Sequence, residues 1–169
     1  MRTARNLRRH ALLLCLFAGL VAGCAGKDNF QNKMKGLWVL KSRTLPGGET
    51  VVPPSVSGRL EWFPMDINAR TAHVSVLTTH GDEGVQIHGS HYNLNDYQTF
   101  SQESYLRVGG GIRKTHDKTY TSERTQSSGS IQVEGSRITF RHDGGPTYVF
   151  EGSNLTIEHA DGTKDVLAK

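Results

Sequence analysis

The sequence predicts an all-β protein: an antiparallel up-and-down β-barrel of about eight to ten strands, behind a cleaved N-terminal signal helix. Three observations predict it. Apolar residues recur at every second position in run after run, the period of a strand with one buried face. The runs are separated by clusters of Gly, Asp, Asn, Ser and Pro, which supply the positive φ or preset φ of tight turns. Beyond the leader, no stretch keeps apolar residues at i, i+3, i+4 and i+7 through two or three turns, so the helical period is missing. A two-sheet sandwich fits the same pattern, but closure into a barrel also removes exposed sheet edges. At 169 residues the chain suits one domain with its own core.

The leader comes first. Arg2, Arg5, Arg8, Arg9 and His10 form a basic segment, and Ala11 to Leu20 (ALLLCLFAGL) an apolar one. The apolar run is too short to span a hydrocarbon core, which takes roughly 20 residues, so it reads as a signal and not a stable span. Arg8-Arg9 loosely matches a twin-arginine export signal, but arginine pairs are common in plain signals and the general secretory route is the expected one. The leader ends in Leu20-Val21-Ala22-Gly23-Cys24. This run resembles the lipobox of bacterial lipoproteins, in which small residues lead to a cysteine. The resemblance implies cleavage between Gly23 and Cys24, a thioether from the Cys24 sulfur to diacylglycerol, and acylation of the new amino terminus. Residues 1–23 are then the signal peptide, 24–35 the lipidated cysteine and tether, and 36–169 the barrel domain. Buried methylenes contribute about 0.8 kcal/mol each, so several acyl chains make membrane attachment effectively permanent. Within that family Ala25, where some members carry Asp, implies passage to the outer membrane, with the domain at its periplasmic face.

Removing the leader changes the charge. Its four arginines account for the whole formal net charge of +4, leaving 16 Lys plus Arg against 16 Asp plus Glu. No electrostatic case for nucleic acid remains. Cys15 lies in the leader and Cys24 is the lipid site, so the folded domain has no disulfide, no Cys-based zinc site and no cysteine nucleophile.

After a polar stretch, Lys27 to Lys35, that suits a short tether or one loose helical turn, the strands begin. Leu60 and Trp62 alternate with Arg59 and Glu61; Ala72, Val74 and Val76 with His73, Ser75 and Leu77; Val85 and Ile87 with Gln86 and His88. Tyr105, Leu106 and Val108 indicate a strand before Gly109-Gly110-Gly111, with Ile112 to Thr121 pairing back across it, and Ser122 to Ser128 reads as an exposed loop. Five short strands close the chain: 131–134, 137–142, 147–151, 154–159 and 164–168. Ile138 and Phe140, Tyr148 and Phe150, and Leu155 and Ile157 supply their core face.

Gly36-Leu37-Trp38, opening the first strand as GLWVLKSRT, resembles the Gly-x-Trp signature at the start of lipocalins and lipocalin-like bacterial proteins. The Pro46-Gly47-Gly48 turn and the strand from Gly58 to Phe63 are similar to that group's opening as well. The resemblance implies a barrel whose tryptophan closes one end and whose interior holds a small, usually apolar ligand. It also implies a late arginine covering the tryptophan, for which Arg137 and Arg141 are the candidates.

Seven histidines follow the leader: His73, His80, His88, His91, His116, His142 and His159. On a regular strand His88 and His91 point to opposite faces. A bulge at Gly89 would bring them together, with His73 approaching from a neighbouring strand, but solvated strand histidines are the simpler reading, and no metal or cofactor is assigned. There is no Gly-x-Ser-x-Gly elbow, and Gly109-Gly110-Gly111 does not open a helix as a phosphate loop does, so no catalytic residue is assigned and the chain does not read as an enzyme. Two functions fit. A hollow barrel would bind a small apolar or amphipathic ligand against Trp38, Trp62, Phe140 and Tyr148. A filled barrel would serve envelope assembly through its outer surface, with an apolar patch around Tyr92, Tyr97 and Phe100 meeting a protein partner.

Overall fold

The computed structural model describes residues 30–66, 70–80, 85–95, 98–110, 119–121 and 124–169. The leader, Gly23, Cys24, Tyr97 and His116 lie outside the described residues. Among those described, no helix is long and apolar enough to cross a membrane.

One short helix, α1 (Phe30–Met34), precedes the strands β1 (Gly36–Thr44), β2 (Thr50–Val51), β3 (Val56–Asp66), β4 (Thr71–His80), β5 (Val85–Leu94) and β6 (Thr99–Gly110). They continue as β7 (Thr119–Thr121), β8 (Thr125–Glu134), β9 (Arg137–His142), β10 (Thr147–Glu151), β11 (Asn154–Glu158) and β12 (Lys164–Ala168). All pairings are antiparallel, and β12 pairs back onto β1, so ten of the strands close a barrel, while β2 flanks β1 and β7 flanks β6. The predicted return strand past the triple glycine is present as β7, paired with residues 107–109.

Period two drives closure. The side chains of Trp38 and Leu40, Leu60 and Trp62, Ala72 and Val74, Tyr92 and Leu94, Phe140, Phe150, Leu155 and Ile157 are buried, and their strand neighbours point mostly outward. The last five strands form the predicted meander. Its tight Gly135-Ser136 and Gly152-Ser153 turns place each glycine at φ +59°, a conformation L side chains resist.

Two expectations change. Thr125–Ser128 belong to β8 and not to a loop, because Ser127 turns inward and donates to Gln102 Oε1 at 2.9 Å; the barrel interior is polar there, so polarity did not mark a loop. The tether's second half is not loose. Met34 is fully buried and Gln31 nearly so, and α1 caps one end of the barrel, where Trp38 Nε1 donates to the Met34 carbonyl at 2.9 Å.

Candidate functional site

Among the described residues the barrel is filled at the α1 end and open at the other. In the filled half Trp62 touches Tyr92, Phe140 and Phe150 with ring centroids 5.1, 5.3 and 5.6 Å away, and Trp38 meets Phe150 edge-on at 5.4 Å. Such tilted and edge contacts are the preferred aromatic geometries, and these rings leave no lumen between them. The cation over the Trp38 face is Lys169 Nζ, 4.4 Å from the ring centroid, and not an arginine as the first-strand resemblance implied. Arg137 and Arg141 are surface residues turned to Glu151 and Gln132.

Beyond the aromatic plug the interior widens into a cup of about 590 Å³. Leu40, Val76, Tyr148, Ile157 and Leu167 line it toward the plug; His88, Gln102, Ser104 and Ser127 form one wall, and Arg43, His159 and Asp165 the wall opposite.

The first wall is a hydrogen-bonded chain. Gln102 Nε2 donates to Ser90 Oγ at 2.8 Å, and His88 Nε2 bonds Ser104 Oγ at 2.8 Å. His142, also in the cup lining, reaches toward the plug with partners of its own. Its Nδ1 lies 2.7 Å from the Pro146 carbonyl, which can only accept, so Nδ1 carries the proton and Nε2 accepts from the Tyr92 hydroxyl at 2.8 Å. Burial pushes the His142 pKa down, so the ring stays neutral, and burial pushes the Tyr148 phenol up to about 12.

On the opposite wall Arg43 Nε and Nη2 grip Asp165 at 2.6 and 2.7 Å, and His159 Nε2 stands 3.1 Å from the same carboxylate. Burial alone would raise the Asp165 pKa, but the hydrogen bonds from Arg43 and His159 outweigh it and hold the carboxyl below its usual range. The guanidinium and carboxylate neutralise each other, so this wall offers polar edges without a net field from the pair. Arg43 reaches the lumen because of a bulge. Leu40 pairs with Leu167 and Ser42 with Val166, which leaves Lys41 extra and turns Arg43 to the inside opposite Asp165. Strict alternation puts Arg43 outside, so no sequence signal marked it, nor did any mark Gln102 and Ser104 as wall residues.

Of the four predicted pocket residues, Tyr148 alone lines the cup; Trp38, Trp62 and Phe140 have no exposed surface and belong to the plug. Of the surface patch expected around Tyr92, Tyr97 and Phe100, strand parity turns Tyr92 and Phe100 inward, where each is 1% exposed, and Tyr97 lies outside the described residues. The large apolar side chains on the outside include Phe63 and Met65 of β3.

A second cluster lies on the outer face. His88 points into the cup and His91 outward, the regular-strand outcome; β5 is not bulged at Gly89. The irregularity is on β6. Gly89 pairs with Leu106 and Ser90 with Ser104, leaving Tyr105 as the extra residue. His73 does come to His91, directly opposite it in register with ring centroids 5.4 Å apart, and the Tyr105 hydroxyl lies 2.9 Å from His73 Nδ1. Among the described residues no three His, Cys, Asp or Glu side chains are gathered as a metal site.

These features define the class: a closed, ten-stranded antiparallel barrel with an aromatic plug at one end and a polar-walled cup at the other. No family model and no curated protein matches the chain. The chain is similar to a solved redesigned β-barrel, at 13% identity and a TM-score of 0.37, across 82% of this chain and 93% of that one.

Proposed function

We propose that this protein is a lipid-anchored bacterial envelope lipoprotein whose barrel binds a small amphipathic molecule in the cup. The observation that carries the binding reading is the asymmetry of the lumen: one half packed with rings to no exposed surface, the other half left open with an apolar base and hydrogen-bonding walls. Its volume lies within the roughly 300–1,000 Å³ range of small-molecule sites. The neutral His142 and the cancelled Arg43–Asp165 charges favour a ligand with polar, uncharged groups at one end and hydrocarbon at the other.

The lipobox-like run ending at Cys24 supports the anchor. Five residues lie between Cys24 and Phe30, six Cα-to-Cα steps with a contour of at most about 22 Å, so an anchored protein holds the α1 end near the bilayer and opens the cup away from it. This orientation suits exchange of ligand with the aqueous side or with another envelope component, at the periplasmic face of the outer membrane if Ala25 sorts as in the family it resembles.

The test fills the cup. Thr78 is a cup-lining residue on β4, and Thr78→Trp adds an indole to the cavity. Titration with a neutral amphipathic fluorescent probe is expected to give saturable binding to the unaltered protein and at least tenfold weaker binding to the variant. Equal binding to both would place the probe outside the cup and sink this reading.

A further inference from the structure

We propose that the outer face of β4–β6 carries a site for a late first-row transition-metal dication, Cu²⁺ foremost, with His73, His91 and Tyr105 as its ligands. The site is separate from the cup, since these side chains project from the opposite face of the sheet.

The geometry has three parts. His73 and His91 stand in register on adjacent strands with their imidazole centroids 5.4 Å apart, a spacing that one ion bonded to nitrogen at about 2.0 Å can bridge. The Tyr105 ring lies 4.9 Å from the His91 ring, and its hydroxyl stands 2.9 Å from His73 Nδ1 and 3.3 Å from Nε2. The oxygen sits beside the imidazole, off both lone pairs, so a turn of the His73 ring aims one nitrogen at an ion that the phenol oxygen shares.

Two features of the chain seat the phenol there. Tyr105 is the extra residue of the β6 bulge and keeps the outward face that it shares with Glu103, opposite to Gln102 and Ser104. It lies across Gly89, where an added Cβ would come within 3.2 Å of the ring, so a side chain at that position would displace it. Glu103 stands opposite His91 on the next strand, at the end of the same row. His91 is exposed, and His73 and Tyr105 are half-buried, so the cluster is open to ions from solvent.

Binding exchanges a proton for the ion. The Tyr105 O–H bond breaks, the proton passes to water, a phenolate-to-metal bond forms, and one His73 nitrogen and one His91 nitrogen each donate a lone pair to the metal. The ion keeps its oxidation state. Imidazole and phenolate together suit Cu²⁺, which also heads the affinity order of the divalent series for a given nitrogen and oxygen site.

The experiment is a titration of the full chain, its two thiols alkylated, with Cu²⁺ alone, followed by visible absorption and calorimetry. Saturable uptake with a phenolate-to-copper charge-transfer band is expected. Tyr105→Phe, which keeps the ring, should abolish the band, and His91→Ala, at an exposed position, should weaken uptake at least tenfold, both with unchanged far-ultraviolet circular dichroism. Absence of the band at saturating Cu²⁺, its persistence in Tyr105→Phe, or unchanged affinity in His91→Ala would overturn the assignment. If Tyr105→Phe fails to fold, His91→Ala and the band itself still decide.

Discussion

Gly129 shows how single residues hold this barrel. A Cβ there would run into the Arg141 carbonyl oxygen and the edge of the Phe100 ring, both fixed by the sheet and plug, so backbone and ring approach closely only because the position is bare. Gly129→Ala is expected to cost about 3 kcal/mol, the upper range for overpacking, read as a lowered urea midpoint. Asp165→Asn tests the opposite wall: it leaves the Arg43 guanidinium without its carboxylate in a largely buried setting, and about 3 kcal/mol should be lost. His142 governs acid sensitivity. Its folded pKa lies below the ordinary 6.5, so the folded chain binds fewer protons than the unfolded one as pH falls through that window. Its contribution is full above about 6.5 and is lost as pH drops through the lowered value, and His73, shifted the same way by burial and by His91, adds to it. The fall in urea midpoint between pH 7 and 5 should shrink in His142→Gln, which still offers Tyr92 an acceptor.

At the scale of elements, α1 and the bulges decide where the site is. The helix has only five residues, far short of independent stability, and exists because Met34 buries into the barrel end while Lys169 Nζ and Lys33 Nζ tie it to the Lys33 and Gly135 carbonyls at 2.9 and 3.1 Å. Met34→Ala should cost about 2–5 kcal/mol and loosen this end first, seen as faster amide exchange near Trp38. The strands themselves were legible, because Leu60-Glu61-Trp62 or Leu155-Thr156-Ile157 alternates cleanly and the intervening glycines mark turns. The bulges at Lys41 and Tyr105 were not legible. A bulge shifts side-chain parity by one residue without any compositional mark: the one at Lys41 re-aims Arg43 into the cup, while the one at Tyr105 leaves that ring on the outward face it shares with Glu103 and shifts the residues after it. Polar β8 residues misled for a related reason, since their inward side chains meet a polar wall.

For the whole molecule, alternation specifies a barrel but not whether it is hollow, because the same pattern accommodates packed rings or a cavity. Both are present here. Three of the four aromatics chosen from the sequence as pocket lining, Trp38, Trp62 and Phe140, instead pack in the plug at the α1 end, since rings of that size gain most from mutual burial. Tyr148 does line the cup, but its polar walls are left to residues that sequence reasoning passed over as ordinary strand polarity. The central claim is that this cup holds a small amphipathic ligand, and native mass spectrometry of the protein purified from its own host tests it most directly. A reproducible added mass, lost on denaturation and absent from Thr78→Trp, is the predicted result; a clean apo mass that persists after incubation with an envelope lipid extract would contradict it.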